Sequence, residues 1–374
     1  MKYLRFAIMP ILVLTSIISL LIGPLYVILF FILLSGLFIL GDYYLPQDKD
    51  KPNYSKPWIL NGLLYINLPL LLTLYFLLGW YCSVTDLFGF GNWLQSNSPF
   101  NIIDHKRNIQ FYHYIFIILS SGLLVAGAGT VVAHELVHRT REKISIWFGN
   151  WLISLSFDMA FAIDHVYGHH KDVCLKKDSA TAQRGQSIYH FIISSSLGQF
   201  ITAYKIEQRR KKSIYQNRLL QSTARSIIIV SIMFMIGGFY GLIIALSIAL
   251  IAKILLEAVN YIEHYGLVRK EGQRVCPRHS WNSNHLMSNI MLYFWFCRNP
   301  GLALPLIALQ YHEVKLKFTW GTRTAAASTG GIPTCKVWAD YIYLDTDERR
   351  RFAQVSHEYL IEQLQYEEHA SSSS

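Results

Sequence analysis

Fourteen histidines occur in the 374-residue chain, and they are bunched rather than spread. The string AHELVHR sets His134 and His138 four residues apart, so on a continuous helix both imidazoles lie on one face and can converge on one cation. DHVYGHHKD supplies three more: His165 and His169 share that spacing, and His170 falls about 100° further round a regular helix. NYIEHYGL pairs Glu263 with His264, and RHSWNSNHLMSN adds His279 and His285 beside Asn282 and Asn284, as ligands, as hydrogen-bond partners of ligands, or as a polar loop. Glu135, Asp164 and Glu263 are the carboxylates adjacent to these histidines and the candidates for acid–base work, Asp164 also for fixing an imidazole tautomer. Many imidazoles with few carboxylates favour iron, zinc or copper over calcium or magnesium, and so many histidines over-supply a single ion, so two metals are expected. HELVH also fits a zinc protease in which Glu135 is the general base, but that reading leaves DHVYGHH without a role.

The elements that must carry these groups are apolar. Hydrophobic residues make up 52% of the chain and charged residues 16%, with mean hydropathy +0.27, beyond the needs of a water-soluble core. Apolar runs near residues 7–40, 58–81, 111–133 and 226–259 each reach the roughly 20 residues that cross a hydrocarbon layer about 30 Å thick. Gly23-Pro24 divides the first run into a helical hairpin, and Gly237-Gly238 divides the last, which is too long for one crossing. The expected fold is therefore all-α, an integral membrane bundle of about six transmembrane helices. The segment 134–225 holds fourteen Lys/Arg, against Lys106 and Arg107 alone in 83–110, so the positive-inside rule puts the long segment, both termini and every histidine group in the cytoplasm. The net charge of +10 is read as this topological bias, with no nucleic acid as partner. Five cysteines, scattered singly, exclude a disulfide scaffold. Histidines gathered at one end of the spans, with only His113 inside one, argue against a metal transporter.

Taken in order, HELVHR, DHVYGHHK, SATAQRGQSIYHF, NYIEHYGL and HSWNSNHLMSN closely resemble the membrane-bound alkane 1-monooxygenases and their xylene monooxygenase relatives, over roughly residues 1–295. The broader desaturase superfamily shares the first two boxes but not the NYIEHYGL–HSWNSNH pair, so a fatty-acid desaturase or hydroxylase is the nearest alternative. The resemblance implies a non-haem centre of two Fe ions, with His134, His138, His165, His169, His170 and His264 as ligands. It implies that O2 and two electrons, passed by rubredoxin from an NADH-dependent reductase, place a hydroxyl on the terminal methyl group of a hydrocarbon held within membrane lipid. It also implies a bacterial inner membrane, with the active site facing the cytoplasm. One departure stands out. The family carries a further box of the form LQRHSDHH shortly after HSWNSNH, whereas here only LQYH, ending at His312, faintly matches it. Residues 1–295 are accordingly read as the hydroxylase domain and 296–374 as a C-terminal region that is either divergent or altered in reading frame, leaving the ligand set short.

Overall fold

The computed structural model describes residues 3–44, 54–276, 279–281, 304 and 345–354, and every regular element among them is helical. The chain falls into two units, Met1–Ser288 and Asn289–Ser374. Within the second, the described residues form one exposed helix, Thr346–Gln354.

In the first unit, α1 (Ile8–Ile22) and α2 (Pro24–Tyr44) are separated by Gly23 alone. Gly23 takes φ 145°, ψ 171°, open to a residue without Cβ, and Pro24 presets the first turn of α2. α3 (Pro57–Tyr65) runs almost directly into α4 (Asn67–Cys82), and after the short helices α5 (Phe90–Asn97) and α6 (Ile102–Asn108) comes α7 (Phe111–Val137). α8 (Lys143–Ser154), α9 (161–172), α10 (Ile188–Arg210) and α11 (Arg218–His264) complete the unit. α4 packs against α1 and α11, and α7 against α2 and α11.

Among the described residues, five helical stretches are long and apolar enough to cross a membrane: Leu4–Ile22, Pro24–Gly41, Pro57–Cys82, Phe111–Val137 and Arg218–His264. The last, at 47 residues, would extend about 70 Å if straight, more than twice a bilayer core. It is broken at Gly238 (φ 60°, ψ −150°). A Cβ on Gly241 would lie 2.3 Å from the Met233 carbonyl oxygen, although residues eight apart in a straight helix are separated by about 12 Å. The chain therefore doubles back at Gly238, as its glycine pair foretells.

The membrane-facing character is plain in the exposure pattern. Leu29, Ile32, Leu37, Ile39, Met235, Phe239 and Leu250 are exposed, while Leu71, Leu74, Leu78, Trp80, Leu124 and Ile248 form a dry interior. Tyrosine hydroxyls are not left unpaired inside it: Tyr75 donates to the Leu155 carbonyl (3.1 Å) and Tyr81 to the Leu20 carbonyl (2.5 Å).

Candidate metal centre

α7 and the second half of α11 end at the same place, and each carries its histidines in its last turns. α7 is held there by α8. A Cβ on Gly149 of α8 would sit 3.0 Å from Leu136 Cβ and Val137 Cγ1, so the missing side chain lets α8 lie hard against the turn bearing His134 and His138.

α9 is where local structure departs from the regular-helix reading. Its middle, His165–His169, is a π turn, which pairs residues five apart rather than four. His165 is therefore aligned with His170, their Nε2 atoms 3.0 Å apart, and His169 turns to the other side. Gly168 makes this wide turn possible, because a Cβ there would meet Asp164 Oδ1 at 2.8 Å and Thr202 Cγ2 of α10 at 3.0 Å.

The outcome is two groups of imidazoles in contact. In the first, His134, His138, His165 and His170 bring one nitrogen each within 4.8 Å of one another. The Nε2 of His138 is 3.1 Å from that of His134 and 3.2 Å from that of His165. In the second, His169 and His264 have ring centroids 4.9 Å apart, and the His169 ring lies 5.4 Å from His165 and 5.8 Å from His170. Six of the seven candidate ligand histidines, all but His312, are thus brought together. His113 is not: it closes the N-terminus of α7 against Gln110. His285 and His312 lie outside the described residues.

The second pair carries the supports that metal-binding histidines characteristically have. His169 Nδ1 donates to Asp178 Oδ2 at 2.9 Å, both side chains buried, and His264 Nδ1 donates to the His279 carbonyl at 3.1 Å. Each bond places the ring proton on Nδ1 and leaves Nε2 as a free lone pair. Asp178 is itself fixed by the Thr181 hydroxyl and the Ala180 N–H. Burial alone would raise its carboxyl pKa, but these bonds and the one from His169 hold it below the ordinary range. Asp178 went unmarked in the sequence, although DSAT, an acid followed by backbone and hydroxyl donors two and three residues on, is a local signal for it. His279 resolves as a positioning residue: its carbonyl serves His264, and its Nδ1 accepts from the Cys276 N–H at 3.0 Å.

The loop after α11 locks both groups together. Arg269 donates to the carbonyls of Lys171, Val173 and Gln273, and the Gly266 N–H to the Ala182 carbonyl, tying the end of α9 and the Asp178 loop to the end of α11.

The three candidate carboxylates fare differently. Glu135 points outward, bonded to Arg139 at 2.9 and 3.1 Å, a geometry that suits a surface ion pair and not a general base. Glu263 stands at the rim, half-exposed, 3.8 Å from His264 Nε2. Asp164 is buried, and desolvation together with the nearby Asp178 charge pushes its pKa up to about 7. It orients no histidine tautomer here; for His169 that task is Asp178's.

Beneath the histidines lies a network absent from the sequence reading. Lys253 Nζ contacts Asp158 Oδ2 and Glu257 Oε1, each at 2.6 Å, and Gln199 bridges to Glu257 at 2.9 Å. Its signal was present: a Lys and a Glu four apart inside an apolar run.

These features fit metal ions. Burial first, then the neighbouring imidazoles, depress the pKa of His165 far below its usual value and bring His170 to about 4, so the rings stay neutral and offer lone pairs to a cation. An all-nitrogen donor set suits iron, zinc or copper.

An apolar helical bundle capped at one end by clustered, supported histidines defines the class of membrane proteins that do metal chemistry at the bilayer surface. The fatty acid desaturase family model matches residues 109–298, and the chain belongs to this family. It is similar to alkane 1-monooxygenase 1 of Pseudomonas aeruginosa, 34% identical over 187 residues covering 47% of this chain and 49% of the relative. It is also similar to an alkane 1-monooxygenase of Ectopseudomonas oleovorans, 28% identical over 265 residues, 67% of this chain and 60% of the relative. The remainder has a different likeness. The family model for the major capsid protein N-terminus matches residues 275–345, and a major capsid protein of Pyramimonas orientalis virus is 64% identical over 87 residues, 23% of this chain and 22% of that protein. The chain thus matches about half the length of its first alkane monooxygenase relative and about a fifth of the capsid relative. The atypical C-terminus is capsid-like, and the two family matches overlap over 275–298.

Proposed function

We propose that residues 1–295 form the membrane portion of a diiron hydroxylase that inserts one atom of O2 into the terminal methyl group of an alkane or alkyl-aromatic. Electrons would come from rubredoxin and its NADH-dependent reductase, at a site facing the cytoplasm of a bacterial inner membrane. The observation that carries this reading is the pair of imidazole groups in contact: four nitrogens within 4.8 Å, beside His169 and His264 held by Asp178 and a carbonyl. Iron bound there would supply O2 activation, which no side chain of the protein can perform. The protein's own part is to hold the Nε2 lone pairs in place through Asp178 and the His279 carbonyl, and to keep a proton on Asp164 near neutral pH. The overall reaction consumes a C–H bond, O2, two electrons and two protons and yields an alcohol and water, so a protonated carboxyl beside the histidines is chemically apt. Glu135, committed to Arg139, argues against the zinc-protease alternative.

In the capsid-like region only LQYH, ending at His312, matches the family's LQRHSDHH box, and faintly, so the ligand set is short and hydroxylation is expected to be low or absent in the chain as it stands. The test exchanges residues 295–374 for the C-terminal region of a relative carrying that box. Octane hydroxylation with rubredoxin, its reductase and NADH, and iron per chain, are then measured. Activity and iron both rising in the chimera support the reading; equal values in both proteins refute the argument from ligand number, and no iron in either refutes the metal assignment.

A further inference from the structure

A cavity of about 100 Å³, with no histidine among its lining residues, lies between the turn after α7, α8, α9 and the first two turns of α11. Its polar lining includes Thr140, Asn150, Tyr167, Gln221 and two arginines, Arg218 and Arg225. The arginines differ. Arg218 spends its guanidinium on Glu207, with Nε and Nη2 at 2.8 and 2.7 Å from Oε1, and stacks 4.5 Å over the Tyr167 ring. Arg225 donates once, to Ser222 Oγ at 2.9 Å; its Nε is buried without a partner, and it meets no carboxylate among the described residues.

An arginine inside an apolar helix with an unspent donor and no counter-charge is costly, and such residues face a cavity or a ligand. Glu207 is already shared between Arg210 and Arg218, which leaves the Arg225 charge uncompensated. The guanidinium fork matches phosphate oxygens, and the cavity is several times what one water requires. Its position selects the source of the phosphate. Arg225 sits about 10 Å along the axis from Arg218, at the start of the membrane-crossing helix, and Ile228, one turn beyond it, is exposed together with Ile227 and, on α8, Ile144 and Trp147. An anion bound there has apolar surface beside it on which acyl chains can lie.

The geometry points to a binding site for the phosphate headgroup of an anionic phospholipid, with Arg225 as its anchor. It does not depend on the metal reading. The test uses the full chain in detergent, titrated with dioctanoyl phosphatidylglycerol, dioctanoylglycerol or inorganic phosphate, and read by native mass spectrometry and the shift in Tm. The expected result is one retained phosphatidylglycerol per chain with a raised Tm, neither produced by the diglyceride nor by inorganic phosphate at equal concentration. Arg225→Gln should weaken retention about tenfold, and Arg225→Lys less. Equal effects of phosphatidylglycerol and diglyceride would overturn the site, as would undiminished binding by Arg225→Gln. Inorganic phosphate acting alone would overturn the lipid as its source. If Arg225→Gln fails to fold, the comparison of the three ligands on the unaltered chain decides.

Discussion

Asp178→Asn is the substitution that most directly separates a metal centre from a mere packing of histidines. The native carboxylate accepts the His169 Nδ1 proton at 2.9 Å with both side chains almost fully buried, so solvent screens the pair little. Asparagine keeps the volume and an acceptor oxygen but loses the charge that makes Nε2 a stronger donor. Removing such a support typically weakens metal binding about 10–100-fold, which corresponds to about 1.4–2.7 kcal/mol. The assay is iron content of protein reloaded with ferrous iron and then equilibrated with graded chelator concentrations, with His113→Ala as a control because His113 caps α7 away from the site. The chelator midpoint for the weaker-held iron should fall by one to two decades in Asp178→Asn and stay put in His113→Ala. An unchanged midpoint in Asp178→Asn would refute the argument that the 2.9 Å bond tunes a ligand.

His138→Ala removes a nitrogen donor from the four-histidine group, and the purified variant should contain less iron; His264→Ala removes one from the other group, and after reloading with ferrous iron it should bind less than the unaltered chain, equal binding excluding it as a ligand. Reporter fusions after Leu94 and after Gln216 should report opposite sides of the membrane, with Gln216 cytoplasmic, as six crossings require. Glu207 joins Arg210 and Arg218 through a nearly inaccessible carboxylate, so Glu207→Gln should cost about 3 kcal/mol, the low end for a broken buried pair because the arginines are about one-third exposed. Burial alone would raise the Glu207 pKa, but its bonds to Arg218 and Arg210 set it below the unfolded value of about 4.3. Its stabilisation is therefore complete above that pH and lost as pH falls through the folded value, and acid unfolding of Glu207→Gln should show a shallower loss over that window.

The crossings were legible because membranes impose a simple rule: apolar runs of sufficient length, broken where glycine and proline permit reversal. Gly23-Pro24 and Gly237-Gly238 both turned out to be breaks, each with a glycine at a positive φ. The histidine groups were legible by type and spacing, but their partition was not. A 3.6-residue period pairs His165 with His169; the π turn pairs His165 with His170 and releases His169 to Asp178 and His264. That choice depends on Gly168 fitting against Thr202, a contact between elements about thirty residues apart that no local period encodes. The His279 carbonyl was hidden for the same reason, since it meets His264 in a loop after α11 that Arg269 ties to the carbonyls of Lys171 and Val173.

Charge and ligand counts together constrain what the site can hold. Asp158, Asp164, Asp178 and Glu257 are buried around the histidines; Lys253 meets Asp158 and Glu257, and although burial alone would lower the His169 pKa, its bond to Asp178 raises it, while burial keeps His165 and His170 uncharged. Such an excess of acid is stable only if cations compensate it or protons occupy it, and Asp164, with a pKa near 7, already takes the second course in part. Bound metal supplies the first. The two positions are unequal, however: four nitrogens converge on one, whereas His169 and His264 supply two to the other. The resemblance implies that an LQRHSDHH box would make up the difference, and here only LQYH, ending at His312, faintly matches it. The four-histidine position should therefore keep its ion through purification and the two-histidine position should lose it, giving close to one iron per chain. A ratio of two, retained against chelator, would mean that His279, His285, His312 or a carboxylate such as Glu263 completes the second position.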